Sequence, residues 1–357
     1  MTSMQVKQGW HDIVLDDCLS NVIDYRGKTP KKVTQGVKLV TAKIIKGGRI
    51  LTDSQFEYVE SEKYDEIMKR GLPKLEDILI TTEAPLGELA MIKTDEKIAI
   101  AQRVILLRAD RTKADPYFLF YNLQSPLSQG RLKARATGTT VLGIKNPELR
   151  KIKIYLPPLS VQQKIASILS AFDDLIENNT KRIKTLENTA QLIYKEWFVD
   201  FKFPGHEKVK MVPVKTETIH ELSLREIPEG WEVKELGERV PVSKMKRDEM
   251  KGMFPYYGAA KVIDWVNDYL FEGKYLLIAE DGSVITPDKK PVLQFVNEKF
   301  WVSNHAHILQ GKLFSTEYLY LFLSNLNISG FVTGSAQPKI NQANLNRIKI
   351  IVPYMGD

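Results

Sequence analysis

The chain has 357 residues, room for two domains. At 43% hydrophobic and 27% charged residues it reads as a folded globular protein, without the run of about 18 apolar residues that a membrane span needs. A single cysteine, Cys18, excludes an internal disulfide and a cysteine-cluster zinc site, and a net charge of +7 allows a polyanionic partner without demanding one. Met1 to Trp10 lacks the apolar core of a secretory signal, so a cytoplasmic protein is expected.

In chain order, Gly9-Trp10 opens a first half. Short apolar strands are predicted at 78–81 and 104–107, bounded by Gly, Pro, Asp and Asn turns, and a helix fits 116–124. Between Arg111 and Lys153 nine Lys or Arg stand against two acids, so this stretch carries +7 and the rest of the chain nets to zero. Arg131, Lys133 and Arg135 alternate just before Thr137-Gly138-Thr139-Thr140. Basic side chains beside small hydroxyl residues and a glycine suit phosphate contact, because the backbone approaches closely and several donors converge. The same residues also suit an ordinary solvated basic face. A strand at 152–156 closes the half.

Pro157-Pro158 then stops the strand, and Ser160-Val161-Gln162-Gln163 fits a capping box at a helix start. Ile165, Leu169, Phe172, Ile176, Asn179, Ile183, Leu186, Ala190, Ile193 and Trp197 follow in unbroken 4-3 spacing, the seam of a coiled-coil-type helix. Pro204-Gly205 ends it. Forty residues of helix span about 60 Å. The seam requires another helix, and Asn179 within it favours one register or one partner.

The second half repeats the first. Thr137-Gly138-Thr139 and the strand before Pro157 match Thr333-Gly334-Ser335 and the strand before Pro353 at a constant offset of 196 residues. Gly230-Trp231 matches Gly9-Trp10. Strands are predicted at 275–278, 306–309 and 348–352, and a helix at 316–326. The common order of these matches indicates a duplicated domain. The fold class is therefore α+β: two similar globular domains, 1–157 and 204–357, separated by a long helix within 158–203.

Catalytic patterns are missing. Leu156-Pro157-Pro158-Leu159 lacks the polar and aromatic flanks that grip a flipped adenine, and Gly27-Lys28-Thr29 lacks the P-loop glycine at position 22, which is Val22. Pro287-Asp288 is not followed by an acid-x-Lys. His305 and His307 are expected to differ, one packing and the other reaching the surface. No metal ligand set is found.

The residues resemble a known family, the specificity (S) subunit of type I restriction-modification systems. Pro157-Pro158-Leu159-x-x-Gln162-Gln163-Lys164-Ile165-Ala166, running to Trp197-Phe198-Val199-Asp200-Phe201, resembles that family's central helix. Ile227-Pro228-Glu229-Gly230-Trp231 resembles the opening of a target recognition domain. Asp24 to Pro30, Pro255 to Ala259, Thr137 to Thr139 and Thr333 to Ser335 resemble its recurrent loops. The resemblance implies a non-catalytic subunit in which each domain reads one half of a bipartite double-stranded DNA target while the helix holds their spacing. It implies two modification (methyltransferase) subunits and restriction (motor-nuclease) subunits as partners. S-adenosylmethionine, ATP and Mg then belong to those partners, with no cofactor on this chain. Members of the family carry a second conserved helix, so a helix from another specificity chain is a further expected partner. A stand-alone DNA-binding adaptor or regulator is the competing reading.

Residue type and loop placement nominate DNA contacts. In the first domain they are Arg26, Lys28, Arg131, Lys133, Arg135, Thr137, Thr139 and Lys145. In the second they are Lys244, Lys246, Arg247, Tyr256, Lys261, Ser303, Asn304, His305, Ser335, Gln337 and Lys339. Arg, Asn and Gln can read base edges bidentately, while Lys holds phosphate.

Overall fold

A computed structural model describes residues 9–25, 30–51, 56–214, 226–236, 252–334 and 337–353. The chain divides into two compact units, Met1–Thr180 and Lys181–Asp357, so the division falls inside the long helix.

In the first unit the strands Leu19–Asp24, Val104–Ala109, Ile78–Thr82 and Leu86–Met91 form one antiparallel sheet in that order. Ile78–Thr82 is buried at every position. Its unbroken apolar run reflects burial on both faces, with alternate residues serving different cores. Ile78, Ile80, Ile105 and Leu107 pack with Phe118 and Leu119 of the helix Pro116–Gln124. Leu79, Val104 and Leu106 face the other way, toward Leu39, Val40 and Ile98 of a second four-stranded sheet. The helix Pro116–Gln124 starts where proline sets φ and the Asp115 carboxylate accepts from Phe118 N at 3.0 Å. A second helix, Pro126–Arg135, follows at once behind the Ser125 cap. The sequence signals did not foresee it, because its basic residues read as an alternating approach to a turn.

The second unit repeats this plan around a five-stranded sheet ordered Val262–Val266, Phe254–Tyr257, Leu293–Val302, Phe271–Ala279 and Ala306–Leu309. Leu276 and Ile278 face Leu319 and Leu323 of the helix Thr316–Asn325, while Leu277 faces Val296 and Phe300. Each unit is closed by the same device. Gly9-Trp10 leads into His11–Val14, which pairs antiparallel with the late strand Lys153–Leu156. Gly230-Trp231 leads into Glu232–Glu235, which pairs antiparallel with Lys349–Val352. Both glycines sit in the left-handed region, at φ 89° and 88°.

The helix between the repeats runs Leu159–Tyr194, 36 residues and about 54 Å. The expected capping box is not what starts it. The Pro158 carbonyl accepts from Val161 N and Gln162 N, and Gln162 is buried with its amide in the first unit. Gln162 Oε1 accepts from Asp115 N at 3.0 Å, and its Nε2 donates to Pro157 O at 2.8 Å and Lys113 O at 3.2 Å. Further along, Tyr121 donates to Asp173 at 2.6 Å, and Lys93 pairs with Asp174 and Glu177. In the second unit Gln191 Nε2 donates to Ser324 Oγ at 2.8 Å, and Tyr194 is buried against Tyr318. The helix then widens into a π-turn, Lys195–Val199, with Asp200 N reaching back five residues to Lys195 O. Trp197 therefore leaves the heptad phase that the sequence assigned to it. Phe198 packs on Trp231 and Tyr318 instead.

Candidate nucleic-acid interface

At the end of the central strand Ile78–Thr82 the main chain ties three segments together. Thr82 N donates to Arg103 O, and Ile144 N donates to Thr82 O, each at 2.9 Å. The 137–143 loop is closed on itself by Thr137 N to Gly143 O at 2.8 Å and Gly143 N to Thr137 O at 2.9 Å. Gly138, at φ 125°, is required there, since a Cβ would lie 2.1 Å from the Val141 carbonyl oxygen. The closure holds Thr137 and Thr139 on the surface and leaves Val141 and Leu142 52% and 51% exposed. Beside the loop, Arg103 Nε contacts Glu83 Oε1 at 2.8 Å. Lys145 is exposed just after it, and Asn146 Nδ2 donates to Asp24 Oδ2 at 3.2 Å.

The second unit reproduces this scheme bond for bond. Glu280 N donates to His305 O at 2.8 Å, and Ile340 N donates to Glu280 O at 2.9 Å. Thr333 and Lys339 exchange two main-chain bonds of 2.8 Å, around Gly334 at φ 85°. Asp281 Oδ2 lies 2.8 Å from His305 Nδ1, the counterpart of Glu83 with Arg103. Ser303 N donates to Tyr257 O at 2.9 Å, and Gly258 N donates to Lys261 O at 2.8 Å. The turn carrying Lys261 is thereby placed beside the turn of Ser303, Asn304 and His305. Burial, followed by its hydrogen bond to Glu298, holds the Tyr257 hydroxyl in the neutral form.

The nominated residues divide accordingly. Thr137, Thr139 and Lys145 gather in the first unit. Tyr256, Lys261, Asn304, His305, Gln337 and Lys339 gather in the second, with Lys339 Nζ 3.2 Å from Glu280. Ser303 is nearly buried and accepts from His305 N, so it shapes the turn. His307 is buried in the strand Ala306–Leu309 and bonds Ile340 O, whereas His305 is exposed. Residues two apart in a strand share a face, so the difference arises because His305 sits in the turn before it.

The Arg131, Lys133 and Arg135 trio does not form one basic edge. On a helix, residues 131 and 135 share a face and 133 points away from it. Arg131 donates to Asp12 and to Lys153 O, and Arg135 pairs with Glu148 at 2.8 Å. Hydrogen bonds from Lys151 and Arg135 keep the Glu148 carboxyl below its usual range. Lys133 remains exposed. Arg26, Lys28, Lys244, Lys246, Arg247 and Ser335 lie outside the described residues.

Sequence reasoning missed Glu83, Arg103 and Asp281. The available signal was an acid just after the central strand of each repeat and a base just before a later strand that pairs with it. Among the described residues no cluster of three or more His, Cys, Asp or Glu could hold a metal, and no helix is long and apolar enough to cross a membrane. The long helix presents its seam to solvent: Phe172, Ile176, Ile183 and Leu186 are 60%, 58%, 57% and 66% exposed.

The type I restriction modification DNA specificity domain matches this chain twice, over residues 18–188 and 228–357. The type I restriction enzyme MjaIX specificity subunit of Methanocaldococcus jannaschii is 27% identical over 305 residues, 77% of this chain and 67% of its own. The putative MjaX specificity subunit of the same organism is 28% identical over 303 residues, 81% of this chain and 68% of its own. In solved structures, the type I S subunit of M. genitalium shares the fold at TM-score 0.60 and 16% identity, over 99% of this chain and 87% of that one. Two matched copies of one domain, each ending in the same loop and closing strand, place the chain in the type I restriction-modification DNA specificity family.

Proposed function

We propose that this chain is the DNA specificity subunit of a type I restriction-modification complex. Each unit reads one part of a two-part duplex target, and the long helix sets the spacing. The observation that carries this reading is the duplicated strand-end scheme, in which one main-chain framework presents a different set of polar side chains in each unit. Two readers of one design with different side chains suit two unlike half-sites.

In this reading the chemistry lies on the partners. Two modification subunits extrude and methylate adenine with S-adenosylmethionine. Restriction subunits use ATP and Mg. The exposed seam at Phe172, Ile176, Ile183 and Leu186 is the docking face for partner helices, supplied by modification subunits or by another specificity chain. Native mass spectrometry of the chain co-expressed with a modification subunit, with and without duplex DNA, tests this. A particle with two modification subunits is expected. A folded chain that binds duplex DNA tightly but never joins the particle would establish the stand-alone adaptor instead.

A further inference from the structure

An acid–base pair occupies the same place in each unit. Glu83 follows the central strand of the first unit, and Arg103 precedes Val104–Ala109, the strand paired beside it. Asp281 and His305 hold those two places in the second. Each acid also forms a main-chain bridge to the closed loop, Glu83 to Gly143 and Asp281 to Lys339. In the first unit the loop comes so close to the carboxylate that a Cβ at Gly143 would stand 3.3 Å from Glu83 Oε2. All four side chains reach solvent, with exposures of 42% and 53% for Glu83 and Arg103 and 25% and 55% for Asp281 and His305.

A carboxylate on a DNA-facing surface is repelled by phosphate. In both units, at one position and beside one loop, the carboxylate has its basic partner for one donor and keeps lone pairs to accept from another. In the major groove a carboxylate matches the N4 amine of cytosine, and a guanidinium or imidazole N–H matches O6 and N7 of guanine. Arg103 meets Glu83 through Nε, and its terminal Nη groups carry the paired donors that fit guanine.

We propose that Glu83 with Arg103, and Asp281 with His305, are the base-reading pairs of the two units. Each carboxylate accepts from a cytosine N4 amine, and the N–H of each basic partner donates to a guanine edge. This rests on the specificity-subunit reading. Each pair holds its members in place before DNA arrives, which lowers the ordering cost of the contact. The two units then read chemically similar steps with side chains of different reach.

The test is selection from a pool of duplex DNA with randomised positions, using the full chain co-expressed with a modification subunit, followed by sequencing. The wild type is expected to recover a two-part motif with a G·C pair in each part. Glu83→Gln is expected to shift one position of one part from cytosine toward adenine, because an amide pairs with adenine N6 and N7. Asp281→Asn is expected to do so in the other part. Arg103→Ala and His305→Ala each relax a guanine by about 5- to 150-fold within a single part. The unaltered part of the motif in the same experiment reports that the variant is folded. A two-part motif that all four variants recover unchanged, or lose uniformly at every position, overturns the assignment while leaving the specificity reading intact. A wild-type complex that recovers no two-part motif overturns both.

Discussion

Gln162→Leu removes the buried polar tie at the start of the long helix while nearly keeping side-chain volume. Three hydrogen bonds go with it, one from Asp115 N and two to the Pro157 and Lys113 carbonyls. The stranded donor dominates: a buried N–H without a partner costs about 1–3 kcal/mol. The carbonyls keep a second lone pair and weigh less. A loss of about 2–3 kcal/mol is expected, with Asp115 also the cap of the helix Pro116–Gln124. Hydrogen exchange read by mass spectrometry localises the effect, because the slowest amides of a unit report its opening free energy. Amides of Ile78–Thr82 and Val104–Ala109 should exchange about 30- to 150-fold faster, at about 1.4 kcal/mol per tenfold. Those of Phe271–Ala279 should be unchanged. Gln163→Leu, one residue on and exposed, should stay within about 0.5 kcal/mol of wild type. Equal exchange in the two variants would refute the claim that Gln162 anchors the helix.

Asp77 is buried and takes both arms of Arg108, at 2.7 and 2.6 Å, together with Lys74 N at 2.7 Å. Asp77→Ala should cost about 1.5–3 kcal/mol, because Arg108 keeps its bond to Leu72 O and partial access to water, read as a fall in the urea midpoint of the first unit. Cys18 donates to Leu15 O at 3.0 Å, and burial pushes its thiol up to about 12. Native protein at pH 8 should be inert to Ellman's reagent and should yield one thiol per chain in urea. Because the folded value lies above the ordinary 9.0, stability from this group is intact below pH 9 and falls as pH climbs toward 12. Phe172→Glu with Ile176→Glu should leave the unfolding free energy of the free chain, read by urea titration, within about 1 kcal/mol, since both side chains are exposed. Native mass spectrometry should show its complex with modification subunits lost.

The repeat was legible because hydrophobic period and turn residues recur in one order. The strand Ala306–Leu309 and the helix Pro116–Gln124 lie where the pattern put them. The helix Pro126–Arg135 was not legible, because Arg131 and Arg135 owe their spacing to acids distant in sequence, Asp12 and Glu148. Gln162 looked like part of a capping signal because a buried amide and a capping amide are the same residue type. Only the fold brings Asp115 to it. The π-turn at Lys195–Val199 escaped for a similar reason, since the demand comes from Tyr194 and Phe198 packing on Tyr318. At the interface the loops were visible, and the pairs of Glu83 with Arg103 and Asp281 with His305 were not. Their members lie 20 and 24 residues apart and meet only through strand pairing.

The antiparallel pairing of His11–Val14 with Lys153–Leu156, and of Glu232–Glu235 with Lys349–Val352, bears on how such a protein can be inherited. In each unit the chain enters and leaves side by side. A gene segment bounded by those two strands encodes a closed piece whose ends meet the rest of the chain at one place. Crossing-over at the two boundaries exchanges the sheets and loops of a unit without threading a loop, while the long helix, whose Ala166 and Tyr194 complete the two cores, stays in place. Single substitutions on the strand-end framework change its side chains and leave the main-chain bonds standing. New target preferences are thus open to this architecture by two independent routes, exchange of whole units and revision of a few exposed residues.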